Sequence, residues 1–247
     1  MPSTTILRRK IIITGTGRTG TTFLVRLLTE LGLDTGFTRN SWQKEFDEHC
    51  QAGLEHDITD PDSPYIVKNP ALCNQLAPLL ASGLVEIDHA FIPIRNLDAA
   101  ALSRVRIGGR DGTVPGDLWL TDDPAKQKAA LATVFHDLVQ TLVAHEIPFT
   151  FLNFPRFVQE PRYAYQQLSP LLSGIKWEVF LAAFKRIANP TLVHDFSRPK
   201  AAEANGEIGR QYLLNKQLQR RRRRMRRIAY HIAAIALLAA FFLWYKS

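Results

Sequence analysis

The sequence predicts an α/β fold of three α/β/α layers, a mostly parallel sheet between helices, with a further helix at the C-terminus. Three observations carry this expectation. Short apolar runs alternate with stretches of helical spacing through the first two-thirds of the 247 residues. A glycine-rich loop joins the first such run to the first helical stretch. Strands that alternate with helices in this way form parallel sheets covered on both faces.

Residues 10–15 (KIIITG) form a β-branched run of the kind found in a buried strand. Leu24, Leu27, Leu28 and Leu31 then recur at helical spacing, and Gly32 ends the helix. Residues 64–68 (PYIVK) read as a second strand, followed by a helix over 71–80. Residues 90–94 (AFIPI) read as a third strand ending at Arg95, and Pro93 argues against a central, fully paired position for it. A helix over 98–104 and a Gly- and Asp-rich loop over 108–117 follow. A long helix over 123–145 carries Pro124 in its first turn. Residues 149–153 read as the fourth strand, with helices over 163–172 and 177–186.

These elements define a domain over 1–196, a polar linker over 197–210 and a helix over 211–247. The net charge of +8 is concentrated in that last segment, where residues 220–224 with Arg226 and Arg227 supply seven arginines. The domain itself is nearly neutral, which argues against a nucleic-acid-binding surface over its body. Two cysteines, Cys50 and Cys73, make no disulfide framework, and both read as reduced thiols. No Cys and His spacing suggests a metal site.

Beyond the arginines, residues 228–245 are apolar except for His231. As a helix they would span about 27 Å, close to the thickness of a bilayer core. Trp244 and Tyr245 stand at the far end, where interfacial aromatics belong. The expectation is a single-pass C-terminal anchor with a cytoplasmic catalytic domain, the arginines lying on the cytoplasmic side. A helix lying on a surface is the alternative.

The loop reads Gly15-Thr-Gly17-Arg18-Thr19-Gly20-Thr21-Thr22 between a strand and a helix. Glycines let backbone N–H groups converge on an anion, and the helix N-terminus adds partial positive charge. Arg18 supplies a forked cation, and Thr21 and Thr22 supply hydroxyls. In nucleoside triphosphatases G-x(4)-G is followed by lysine. Thr21 stands there instead, and the cation has moved to Arg18.

Arg18-Thr19-Gly20-Thr21-Thr22-Phe23-Leu24 resembles the 5′-phosphosulfate loop of sulfotransferases that use 3′-phosphoadenosine 5′-phosphosulfate. Arg95 and, eight residues later, Ser103 are similar to the pair with which that family binds the donor's 3′-phosphate. Residues 149–172 are similar to a later strand–turn–helix of the family, and the likeness extends over about residues 10–172. It implies a P-loop-like fold and a nucleotide site of Gly15, Gly17, Arg18, Thr19, Gly20, Thr21, Thr22, Arg95 and Ser103. It implies the sulfate-donor nucleotide as co-substrate and no metal. Lys68, at the end of the second strand, matches a family lysine that points at the sulfuryl group.

A hydroxyl acceptor needs a base. Glu55 and His56 are the favoured candidates, and Glu45 in the loop after the first helix remains open. Asp88 and His89 stand before the third strand, at the wrong end of the sheet. The expected activity is sulfuryl transfer to a hydroxyl or amine, with a membrane lipid or glycan as acceptor class. The competing readings are a kinase-like P-loop phosphotransferase and a membrane-tethered nucleotide-binding module without catalysis.

Overall fold

The computed structural model describes residues 8–47, 52–108 and 118–189. The expected linker over 197–210, the C-terminal helix over 211–247, its arginines and the apolar run over 228–245 lie outside these residues, as does Cys50. Among the described residues no helix is long and apolar enough to cross a membrane.

In chain order the elements are β1 (Arg8–Ile13), α1 (Thr21–Glu30), β2 (Phe46–Asp47), β3 (Ala52–Gly53), β4 (Ile66–Lys68) and α2 (Leu72–Ala81). There follow β5 (Val85–Ile94), α3 (Leu97–Gly108), α4 (Gln127–Ala144), β6 (Phe149–Asn153), α5 (Arg156–Gln159), α6 (Pro161–Gln167) and α7 (Trp177–Ile187). One four-stranded sheet runs in the order β4-β1-β5-β6 with every neighbouring pair parallel. β2 and β3 form a separate antiparallel pair.

Strand side chains alternate between the two faces of this sheet. Ile11, Ile13, Ile66, Phe91 and Leu152 pack with Leu24, Leu27 and Leu28 of α1 and with Phe180, Phe184 and Ile187 of α7. Ile12, Val67, Ala90 and Ile92 pack on the other side with Leu72, Leu76 and Leu79 of α2 and with Val134, Leu138 and Leu142 of α4. Helices therefore cover both faces of a parallel sheet, an α/β arrangement compatible with three layers.

The position of β5 corrects the reading of Pro93. β5 lies between β1 and β6 and is fully central. Ala90 N donates to Pro148 O and Phe154 N donates to Ile94 O, so even-numbered residues of β5 face β6. Odd-numbered residues face β1, whose last bond here runs from Thr14 N to Phe91 O. By Pro93 the neighbouring chain has left the sheet, so the missing N–H removes no ladder bond. β5 is also longer than expected, and Asp88 and His89 lie within it rather than before it. They sit on its N-terminal half, away from the glycine loop. Asp88 bonds Arg9 and Tyr65, and His89 bonds Thr150.

The long helix over 123–145 opens with a 3-10 turn over Pro124–Lys126, capped by the Asp123 carboxylate accepting from Ala125 N. The helix expected over 163–172 is shorter, because α6 stops at Gln167 and a 3-10 turn over Ser169–Leu171 follows.

Candidate functional site

The chain leaves β1 toward α1 on one face of the sheet and leaves β5 toward α4 on the other. A crevice opens where such connections part, at the carboxyl ends of the two strands, and ligands of open α/β sheets bind there. Residues 14–20 and Arg95 occupy this position.

The loop is held by backbone conformations that glycine permits. Gly17 and Gly20 have φ of 68° and 83°, and Arg18 itself is left-handed at 58°. A side chain on Gly17 would collide with Arg104 Nη2, and one on Gly20 would lie 2.9 Å from Phe154. The glycines thus allow the left-handed turns and also the close approach of two neighbouring side chains. Thr19 is fully buried, and its Oγ1 has no hydrogen-bond partner. Thr21 and Thr22 are buried at the start of α1.

Arg18 Nε donates to Ser103 Oγ at 3.1 Å, and Arg95 Nη1 donates to the Arg18 carbonyl at 3.2 Å. The Arg95 guanidinium also lies 4.9 Å from the centre of the Phe154 ring. Arg18, Arg95 and Ser103 are therefore brought together around the loop. Arg104, which carries no role in the sequence reading, donates from Nη2 to Thr16 O at 2.7 Å and lies beneath Trp119. Its neighbour Ser103 marks where α3 meets the loop, but nothing in the sequence indicates that Arg104 turns toward Thr16.

Lys68 approaches from β4. Its side chain is 2% exposed, and Nζ donates to Gly53 O at 2.7 Å, Glu55 Oε1 at 2.7 Å and Thr22 Oγ1 at 3.4 Å. All three ammonium protons are thereby used. Burial pushes the Lys68 pKa down, Glu55 opposes this, and Arg18 adds to it. Glu55 is 42% exposed, so one end of the pair is wet.

His56 points elsewhere. Its Nε2 lies 3.1 Å from Thr35 O, its ring packs on Phe37, and its backbone carbonyl accepts from Asn69 Nδ2. Glu45 ends a 3-10 turn over Trp42–Glu45 that leads into β2. The site thus unites the glycine loop with Arg18, Arg95, Ser103, Lys68 and Glu55, while the His56 backbone N–H donates to Lys68 O and its ring is engaged at Thr35 O. Among the described residues no group of His, Cys, Asp or Glu is arranged to hold a metal ion.

Four cations, Arg18, Lys68, Arg95 and Arg104, stand around this loop, with Glu55 ion-paired to Lys68. Such a cradle suits a multiply charged anion. No family model, curated protein or solved structure matches the chain.

Proposed function

We propose that the chain is a sulfotransferase that moves a sulfuryl group from 3′-phosphoadenosine 5′-phosphosulfate to a hydroxyl or amine acceptor. The observation that carries this reading is the convergence of Arg18, Arg95 and Ser103 on a glycine loop at the carboxyl edge of a parallel sheet. A donor with phosphates at two ends needs two anion subsites side by side. The loop N–H groups with Thr21 and Thr22 suit the 5′-phosphate, and Arg95 with Ser103 suits the 3′-phosphate.

In the proposed reaction the acceptor oxygen forms a bond to sulfur as the bond from sulfur to the 5′-phosphate oxygen breaks. Charge builds on that leaving oxygen, where Arg18 stabilises it. Lys68 stands at the sulfuryl group. Glu55 takes the acceptor proton, and adenosine 3′,5′-bisphosphate leaves. Glu55 suits this role better than His56, because its carboxylate is half-exposed beside Lys68 while the His56 ring faces Thr35. The C-terminal apolar run belongs to the same proposal, as a membrane anchor that keeps the catalytic domain cytoplasmic and near a lipid or glycan acceptor.

The test is equilibrium competition on the full chain. Saturable binding of adenosine 3′,5′-bisphosphate, undiminished by ATP–Mg²⁺, is the expected result. Saturable binding of ATP–Mg²⁺ with none of the bisphosphate would replace this reading with a phosphotransferase.

A further inference from the structure

Thr22, Arg26 and Glu30 follow one another at four-residue spacing on α1, so they share one face, with about 5–6 Å between successive Cβ atoms. Thr22 touches Lys68 at the proposed reaction centre. Arg26 lies one turn further along. Its guanidinium sits 4.2 Å from the centre of the Trp42 ring and 5.1 Å from that of Phe46. Phe46 is paired with Gly53, whose carbonyl accepts from Lys68. Arg26 and Lys68, which lies on β4, are thus linked through Thr22 of α1 and again through the β2–β3 pair.

The Arg26 cation is poorly compensated. Its Nε is buried without a hydrogen-bond partner. Among the described residues no carboxylate forms an ion pair with it. Glu30 is engaged by Arg186 at 3.0 Å and lies 3.5 Å from Arg39, so two other arginines already share this carboxylate. Burial lowers the Arg26 pKa and Glu30 raises it, yet a guanidinium stays charged. A buried donor without an acceptor costs stability, and a guanidinium stacked by its face leaves the edges of its fork for a planar oxyanion.

We propose that Arg26, Trp42 and Phe46 form an acceptor subsite for an oxyanion, so that the acceptor carries a carboxylate, sulfate or phosphate about one helical turn from its reacting hydroxyl. This rests on the sulfotransferase reading for the place of that hydroxyl. The edge-to-face pair of Trp42 and Phe46 packs along one side of the guanidinium, while the fork binds the anion in its plane. An acidic glycan or an acidic lipid head group has this chemistry.

The test uses the full chain without nucleotide and para-hydroxyphenylacetate against its methyl ester, which differs only in charge and one methyl group. Calorimetry is expected to give at least tenfold tighter binding of the carboxylate. That preference is lost in Arg26→Gln, while affinity for adenosine 3′,5′-bisphosphate stays within twofold. In wild type the carboxylate changes tryptophan fluorescence, and in Trp42→Phe that change is absent. Equal affinity for acid and ester, or a preference that survives Arg26→Gln, overturns the subsite. A fluorescence change that persists in Trp42→Phe also overturns it, and does so even if Arg26→Gln does not fold. Failure of bisphosphate binding with the carboxylate preference intact would remove the sulfotransferase reading alone.

Discussion

Arg18 Nε and Ser103 Oγ meet at 3.1 Å although 85 residues separate them. The contact ties the glycine loop to α3, and so joins the two halves of the proposed donor site. Ser103→Ala removes the acceptor that orients Arg18 and the hydroxyl proposed for the 3′-phosphate. A net hydrogen bond contributes about 0.5–1.5 kcal/mol. Bisphosphate affinity is therefore expected to fall roughly 2–12-fold per bond lost, with the melting temperature little changed. Isothermal titration and a thermal melt on the same sample check both parts.

The Lys68–Glu55 pair predicts unequal effects of removing its two members. Glu55→Gln leaves a buried ammonium without its counter-charge, which costs roughly 2 kcal/mol or more. Lys68→Met leaves only a half-exposed carboxylate, which water solvates, so folding stability should change by about 1 kcal/mol or less in either direction. Urea denaturation measures both.

The depressed Lys68 pKa adds a pH dependence with a definite sign. Between that pKa and the ordinary value of 10.5, the unfolded chain holds the proton more firmly than the folded chain does. Stability therefore rises with pH in this window, and the cost of the buried charge is fully present below it. The stability of wild type relative to Lys68→Met should climb as pH rises toward 10.5. A flat difference across the alkaline range would contradict the assignment.

Gly17→Ala should damage the loop more than the helix that follows it. The new Cβ would occupy a left-handed residue and collide with Arg104, which also bonds Thr16 O. A cost of about 1–3 kcal/mol is expected, together with loss of bisphosphate binding. Circular dichroism should remain native.

Cys73 is buried against α4, and its surroundings push the thiol pKa up to about 12. In a Cys50→Ser chain it should resist a disulfide reagent at pH 8 and react only when urea unfolds the protein. Rapid labelling of the native chain would show that the core around Val134 opens.

Much of the sheet was legible because its strands are buried on both faces and therefore read as continuous apolar runs, as in Ile11, Ile12 and Ile13. The loop was legible because glycine spacing is local. Arg95 and Ser103 were paired only by their resemblance to the sulfotransferase pair, and in the fold both bond Arg18. Pro93 was misread because the rule against proline in central strands assumes neighbours on both sides along the whole strand, and β1 ends first. The β2–β3 pair has two residues per strand, too few for any periodicity. Arg104 and Arg26 take their surroundings from tertiary contacts with Thr16 and Trp42, which no local pattern encodes. The full use of the Lys68 ammonium depends on Gly53 and Glu55 folding back onto β4.

Arg18 and Arg95 are proposed to bound one nucleotide site with two anion-binding ends. Calorimetry with adenosine 3′,5′-bisphosphate on the full chain, comparing wild type with Arg18→Ala and Arg95→Ala, tests it most directly. Saturable binding in wild type, with affinity at least tenfold weaker in each variant, is the predicted result. Unchanged affinity in both variants would contradict it.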